Sequence, residues 1–370
     1  MLTVAVPNIR NPIVAADGSM EVDVVGRFAL LCSAEPTASS FLRGRIVSAL
    51  IIYLYNHPFM IRLKLQTTEG SIVWHSPMVS SRIRGLSPFW SVAAETFASD
   101  MAVPSIFDSD NAVALRSATT GTIHGRSCYL GFDKIEKRHY FTKGVGWIWS
   151  TGWQPQDGSY GVLPLWAAER ERDLSWEFAK LGIDVVRPEA IFLHGFIPDA
   201  QGNKAHSAET ILDLDGTPAK PCMYIYSSST RWRIADLAFL TKKERNTVLP
   251  KDKPQWLFSL LTKLGRSCRT LHRHGGYDYS LSPHNSFIDG TRLDFEYAVL
   301  PSYPHKNKML NEKAETWQGK ELNGLREIAW HLADMMRLDI TGQELNRWWS
   351  NAYNGNDTGL TSVSDFSDTC

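Results

Sequence analysis

Up to about Leu115 the chain alternates apolar runs, Arg45 to Tyr55 and then Phe59 to Gln66, with turn-rich stretches, a pattern that predicts a mixed, partly β segment. Between Ser117 and Val145 lie a Gly-containing turn (Thr119 to Arg126), an apolar stretch Ser127 to Phe132, a charged turn Asp133 to Arg138 and a second stretch His139 to Thr142. They predict a β-hairpin or meander ending at Lys143. After Pro164, residues Leu165, Ala168, Leu174, Phe178 and Leu181 recur at helical spacing and Gly182 follows, so an amphipathic helix with Pro in its first turn and a Gly stop is expected. Its polar face reads as Glu169, Arg170, Glu171 and Arg172. Two strand-like runs follow, Ala190 to Ile197 and Cys222 to Tyr226, separated by a polar loop around Asp199 to Ser207.

The downstream half carries helical periodicity. Lys253 to about His274 has Pro254 near its start, an apolar stripe of Trp256, Leu257, Leu260, Leu261, Leu264 and Leu271, and Gly275-Gly276 at its end. Gln318 to Met336 reads as a further helix, and Thr341 with Glu344 forms a capping box ahead of Leu345 to Tyr353. The stretch Asn354 to Cys370, rich in Gly, Ser, Thr and Asp, is expected to be mobile.

With 370 residues and 43% hydrophobic content the chain can bury a sizeable core. Its 39 basic and 39 acidic residues cancel, so no overall field recruits nucleic acid or an anionic membrane. Five cysteines are scattered without a C-x-x-C pair, which fits neither a disulfide scaffold nor a thiolate zinc site and points to a reducing, cytoplasmic setting. The most apolar run, Ile46 to Tyr55, is too short for a bilayer, which needs about 20 apolar residues, and no signal peptide is visible.

The segment richest in chemistry is Ser282 to Glu296. Asp289-Gly290 between two short apolar-alternating runs signals a two-residue type I′ hairpin, in which Ile288 faces Thr291 and Asn285 faces Asp294. Amide and carboxylate oxygens would then share one face with Cβ atoms roughly 5 Å apart, as two ligands of a hard cation such as Mg²⁺ holding nucleotide phosphates require. Alone, the same segment also fits an ordinary surface hairpin with polar ends.

The Asn-x8-Asp-Phe spacing resembles the catalytic-loop Asn and metal-binding Asp of protein-kinase-like folds, and further segments resemble one branch, the selenoprotein O family of kinase-like adenylyltransferases. Gly125-Arg126-Ser127-Cys128-Tyr129-Leu130-Gly131 is similar to the family's G-R-A-x-x-L-G, and Lys143-Gly144-Val145-Gly146 to its K-G-x-G. Asp157-Gly158, Arg170-Glu171, Leu181-Gly182-Ile183 and Arg231-Trp232 follow in the family's order, over about Thr119 to Leu300. The resemblance implies an α+β, two-lobed protein-kinase-like fold: an N-terminal extension at 1–115, an N-lobe at 116–230, a mainly helical C-lobe with the metal-binding hairpin at 231–353, and a tail at 354–370. It also implies ATP and Mg²⁺ as cofactors, with ATP inverted relative to kinases so that AMP is transferred.

Carried over residue by residue, Lys143 is the cation on nucleotide phosphates and Glu171 its ion-pair partner, with Glu169 as a substitute. Arg126 and Arg231 are phosphate clamps, Asp157-Gly158 contacts the nucleotide, and Asn285 and Asp294 hold the metal. Departures accompany the match. His284 stands where the family has its base, Asp278 is a second candidate for that role, and Tyr224 replaces an earlier Arg of the clamp. No P-loop, H-R-D triplet, nucleophile elbow or H-E-x-x-H helix occurs, and His272-Arg273-His274 reads as a positive helix C-cap. Three functions remain open: an adenylyltransferase acting on a protein hydroxyl or small-molecule acceptor, a phosphotransferase, and a nucleotide-binding pseudokinase.

Overall fold

The computed structural model describes residues 60–98, 117–119, 127–146, 161–198, 203–213 and 216–356, together with a short antiparallel pair, β1 (Ile13–Val14) and β2 (Met20–Glu21). Two compact units divide the chain. Met1–Ile52 with Trp149–Gly152 form the first, to which β1 and β2 belong, and all other residues form the second. The expected runs Arg45 to Tyr55 and Thr120 to Arg126 lie outside the described residues, as does the stretch from 357 onward.

The second unit is α+β. Its main sheet has eight strands, all paired antiparallel: β3 (Met60–Thr67), β4 (Ser71–His75), β5 (Phe89–Ala98), β6 (Ser117–Thr119), β7 (Ser127–Asp133), β8 (Arg138–Lys143), β9 (Arg187–Leu193) and β12 (Cys222–Ser228). Their spatial order is β4-β9-β12-β8-β7-β6-β3-β5. β10 (Phe196–Pro198) and β11 (Lys204–Ser207) form a separate pair. Every residue of β12 is buried, as a central strand covered on both faces requires. The β7–β8 hairpin stands where the alternation of Ser127 to Thr142 predicts it. The N-terminal boundary is corrected: residues 60–98, expected in an extension of their own, supply three strands to this sheet. β4 pairs with β9 and β3 with β6, partners far along the chain that local pattern does not reveal.

Among the described residues seven helices accompany the sheet: α1 (Ser81–Arg84), α2 (Leu165–Lys180), α3 (Lys242–Val248), α4 (Lys253–Arg273), α5 (Lys308–Glu312), α6 (Ala314–Met336) and α7 (Gly342–Asn354). α2 lays Ala167 and Ala168 against Ile191, Cys222, Tyr224 and Tyr226 of the sheet. It ends in a Schellman motif, with Ile183 N–H on Phe178 O at 3.0 Å and Gly182 N–H on Ala179 O at 3.0 Å. Arg170 and Glu171, expected on the polar face of this helix, are both buried. Arg170 instead donates to the carbonyls of Glu296 (3.1 Å), Pro304 (2.9 Å), Tyr303 (3.3 Å) and Ala298, so its charge is enclosed by hydrogen bonds and it ties down the segment after Asp294.

A second core joins the long helices. Leu257, Leu260, Leu261 and Leu264 of α4 meet Leu325, Ile328 and Leu332 of α6 and Leu345 and Trp348 of α7. Asp252 caps α4 through Gln255 N–H at 3.0 Å, and the Thr341–Glu344 capping box starts α7. Cys128, Cys222 and Cys268 are free and buried. Among the described residues no helix is long and apolar enough to cross a membrane.

Candidate functional site

Lys143 closes β8, in register with Tyr224 of β12. The chain then turns away through Gly144, whose φ of +76° belongs to the left-handed region and whose added Cβ would lie 2.1 Å from Cys222 O. His194, between β9 and β10, holds this turn by donating from Nε2 to Gly144 O at 2.8 Å, while its Nδ1 accepts from Thr68 Oγ1 at 2.7 Å. Burial pushes the His194 ring down to about 4, with the Gly144 hydrogen bond opposing. The ring is therefore neutral, and Thr68, in the connection between β3 and β4, helps to fix the lysine loop.

The Lys143 ammonium is 2% exposed and lies between two carboxylates, Glu171 Oε2 at 2.7 Å and Asp294 Oδ1 at 2.5 Å. Glu171 rather than Glu169 is the partner, since α2 turns it inward at 0% exposure. Its other oxygen accepts from Asp294 N–H at 3.2 Å, so one buried carboxylate fixes both the cation and the backbone of the second acid. Burial raises the Glu171 carboxyl and Lys143 opposes the rise. Asp294 has a φ of +70°, a conformation that Asp tolerates better than most residues but at a cost, and its side chain retains 23% exposure.

The hairpin leading to Asp294 corrects the expected register by one residue. Ser286 pairs with Arg292, Phe287 N–H donates to Thr291 O at 2.8 Å, and Gly290 N–H donates to Phe287 O at 2.9 Å. The loop thus has three residues, Ile288 to Gly290, with Gly290 at φ +83° closing a turn of the bulged kind. The Asp289 carboxylate accepts from Thr291 N–H at 2.9 Å and so stabilises this longer loop. Consequently Asn285 pairs with Leu293, whose N–H donates to Asn285 O at 3.1 Å, instead of facing Asp294.

Asn285 and Asp294 are nonetheless linked through Ser280. Asn285 Nδ2 donates to Ser280 O at 3.0 Å, and Ser280 Oγ lies 2.7 Å from both Asp294 O and Asp278 Oδ1. With Nδ2 committed to Ser280, the amide oxygen of Asn285 is the atom that could meet a cation. One amide oxygen and one carboxylate form a hard donor set suited to Mg²⁺, which takes its remaining positions from phosphate and water. Among the described residues no group of three or more His, Cys, Asp or Glu side chains is placed to hold a metal ion.

Asp278, one of the two expected bases, belongs to a different structure. It is 0% exposed, pairs with Arg292 Nη2 at 2.7 Å, and is raised by burial with Arg292 opposing. The same Arg292 nitrogen meets Glu321 Oε1 at 2.6 Å, Glu321 Oε2 accepts from His272 Nε2 at 3.0 Å, and His272 Nδ1 lies 2.8 Å from Tyr353 Oη. His272 is therefore part of a buried ionic chain, where a helix cap was expected. His284 is half-buried in the 3-10 turn Pro283–Asn285, and its carbonyl accepts from Arg233 Nη1 at 3.1 Å. Arg233 is itself buried, donates to Tyr226 Oη at 2.5 Å, and lies close enough to Asp294 to feel its charge.

Arg231 stacks on the rings of Tyr129 (4.6 Å) and Trp232 (4.5 Å). Tyr224 is fully buried and in register with Lys143. Arg126, Asp157 and Gly158 lie outside the described residues. Sequence reasoning missed Ser280, Arg292, Arg233, Glu321 and His194; the last four meet partners far along the chain, whereas Ser280 bonds near neighbours that no motif marks, and the nearest signal is that Arg233 lies two residues beyond Arg231. No protein-family model matches this chain, and no curated protein matches it either.

Proposed function

We propose that the second unit is a two-lobed, kinase-like, ATP- and Mg²⁺-dependent transferase that passes AMP to a protein hydroxyl or small-molecule acceptor. The observation that carries this reading is the buried Lys143 ammonium held between the helix carboxylate of Glu171 and the partly exposed carboxylate of Asp294. A cation fixed by one acid and shared with a second, more accessible one suits the oxygens of a bound nucleotide.

In this reading Lys143 holds phosphate oxygens and Glu171 keeps the ammonium in place. Asn285 and Asp294 would hold Mg²⁺, which would neutralise phosphate charge. His284 is the base that remains once Asp278 is committed to Arg292. The acceptor oxygen attacks the α-phosphorus, the new O–P bond forms as the bond to the bridging oxygen breaks, pyrophosphate leaves, and the hydroxyl proton passes to the His284 imidazole.

Parallel incubations with ATP labelled at the α- or γ-phosphate test the reading. Label on an acceptor from the α-position only is the expected result, and Asp294→Ala is expected to lower it by about 10²–10³-fold, the scale of losing one electrostatic contact in a preorganised site. Transfer from the γ-position alone means phosphoryl transfer by the same residues. Undiminished turnover in Asp294→Ala overturns the assignment.

A further inference from the structure

Beside the Lys143–Asp294 site runs a row of aromatic rings whose two ends, Trp166 and Trp317, rest on separate buried cores. Trp166 meets His305 edge-on with centroids 6.1 Å apart, His305 stacks on Tyr297 at 5.9 Å, Tyr297 meets Tyr279 at 6.4 Å, and Tyr279 meets Trp317 at 5.1 Å. Tyr279 and Tyr297 are 41% and 43% exposed, unusual for rings in such close mutual contact. The row joins the site directly. Tyr279 precedes Ser280, whose hydroxyl touches Asp294 O, and Tyr297 lies three residues beyond Asp294. At the far end the exposed Lys320 ammonium sits over Tyr279 at 5.2 Å and Trp317 at 4.4 Å.

A single strand of nucleic acid is poorly suited to this surface. The chain has no net charge, and Lys306, at the Trp166 end, is shared with Asp213 at 3.3 Å. A phosphodiester backbone needs several cations along its track. An acidic polypeptide with apolar side chains suits it better, and the chain itself contains one. Residues 357–370 carry Asp357, Asp365 and Asp368 and no Lys, Arg or His, the apolar Leu360, Val363 and Phe366, and the hydroxyls of Thr358, Thr361, Ser362, Ser364, Ser367 and Thr369.

The root of that segment is linked to the row by hydrogen bonds. Tyr353 Oη at the end of α7 is 2.8 Å from His272 Nδ1, His272 Nε2 is 3.0 Å from Glu321 Oε2, and the same oxygen accepts from Asp278 N–H at 2.8 Å. Glu321 follows Lys320, and Tyr279 follows Asp278. The last turn of α7 is therefore tied by three hydrogen bonds to the two elements that carry the Lys320 end of the row. Fourteen residues extended at roughly 3.3 Å each reach up to about 45 Å, several times the ring-to-ring gaps.

We propose that this aromatic row is the docking surface for the chain's own segment 357–370, which it presents to the adjacent site as the acceptor. The docking stands on the geometry alone, whereas the acceptor role rests on the transferase reading. In the transfer a Ser or Thr oxygen of the segment forms a bond to the α-phosphorus of ATP, pyrophosphate leaves, and the hydroxyl proton passes to His284.

The two halves are tested separately. The probe for docking is a dye-labelled synthetic peptide of sequence 357–370, titrated by fluorescence anisotropy against the full chain and against a variant ending at Asn356 whose melting temperature is checked against the full chain. The peptide is expected to bind the shortened protein and to bind the full chain at least tenfold more weakly, because a tethered segment competes with it for the row. Lys320→Glu and Tyr279→Ala in the shortened protein are each expected to weaken binding at least tenfold. A peptide with Asp365 and Asp368 changed to Lys is expected to regain affinity for Lys320→Glu, a rescue that misfolding cannot produce.

Absence of binding to the shortened protein overturns the docking. Equal binding to both forms overturns docking in cis and leaves the segment of a second copy as the occupant. Full chain with α-labelled ATP, read by mass spectrometry, is expected to carry AMP between Thr358 and Thr369. Binding with no such label keeps the docking surface and removes the acceptor role.

Discussion

A lysine enclosed at 2% exposure is costly to keep charged unless its ammonium is met on more than one side, and Glu171 and Asp294 meet Lys143 at 2.7 and 2.5 Å. His194 shows the complementary case of a titratable group kept neutral. An unfolded imidazole takes up its proton below about pH 6.5, whereas the buried ring resists until about 4. Between those values the unfolded chain binds more protons, so stability rises with pH across the window, is complete above about pH 6.5, and is lost as the pH falls toward 4. The shift corresponds to about 3 kcal/mol. His194→Gln is therefore expected to lose less stability than the wild type between pH 7 and 4, by about that amount, in urea unfolding at several pH values. Equal losses in both proteins would remove the assignment. Lys143 and Glu171 were legible in the sequence because short signatures flank them, Gly-x-Gly after the lysine and the helix start before the glutamate. His194 was not, since its partners, Thr68 and Gly144, lie 126 and 50 residues away.

At the scale of elements, helix boundaries followed from sequence more faithfully than strand register. The glycine after α2 and the Thr341–Glu344 box act within one turn, so their chemistry is local. The Ser286–Arg292 hairpin differs from expectation because Asp289 bonds Thr291 N–H and favours a three-residue loop, which a two-residue template does not anticipate. Close approach of helices is another property that composition hides. A Cβ on Gly265 of α4 would lie 2.7 Å from Trp349 O and 3.2 Å from Ala352 Cβ of α7. Alanine is the better helix former by about 1 kcal/mol, yet Gly265→Ala is expected to destabilise by about 1–3 kcal/mol as α7 is pushed away. A thermal melt raised by this change would show that α4 and α7 are not packed as described.

Across the whole molecule, the chain Asp278–Arg292–Glu321–His272–Tyr353 fastens the hairpin that carries Asn285 and Asp294 to α4, α6 and α7. Burial works against charge on Glu321, yet Arg292 and His272 hold its carboxyl below the usual range. Arg292→Leu strands two buried carboxylates and is expected to cost about 3–5 kcal/mol in urea unfolding, while adding Asp278→Asn and Glu321→Gln is expected to recover much of the loss. A triple variant no more stable than Arg292→Leu would show that packing rather than charge dominates there. The α+β class and the helical downstream half were legible from periodicity. Recruitment of residues 60–98 into the main sheet was not, because strand pairing across such separations leaves no local mark.

The contact between Lys143 and Asp294 also bears on the order in which ligands can arrive. While each charge satisfies the other, neither is fully available to an incoming group. If the site takes nucleotide and metal as proposed, Asp294 turning to a cation releases Lys143 for phosphate, and Lys143 turning to phosphate releases Asp294 for the cation. The two ligands are then thermodynamically coupled through this one ion pair, and each raises the affinity of the other by the same factor.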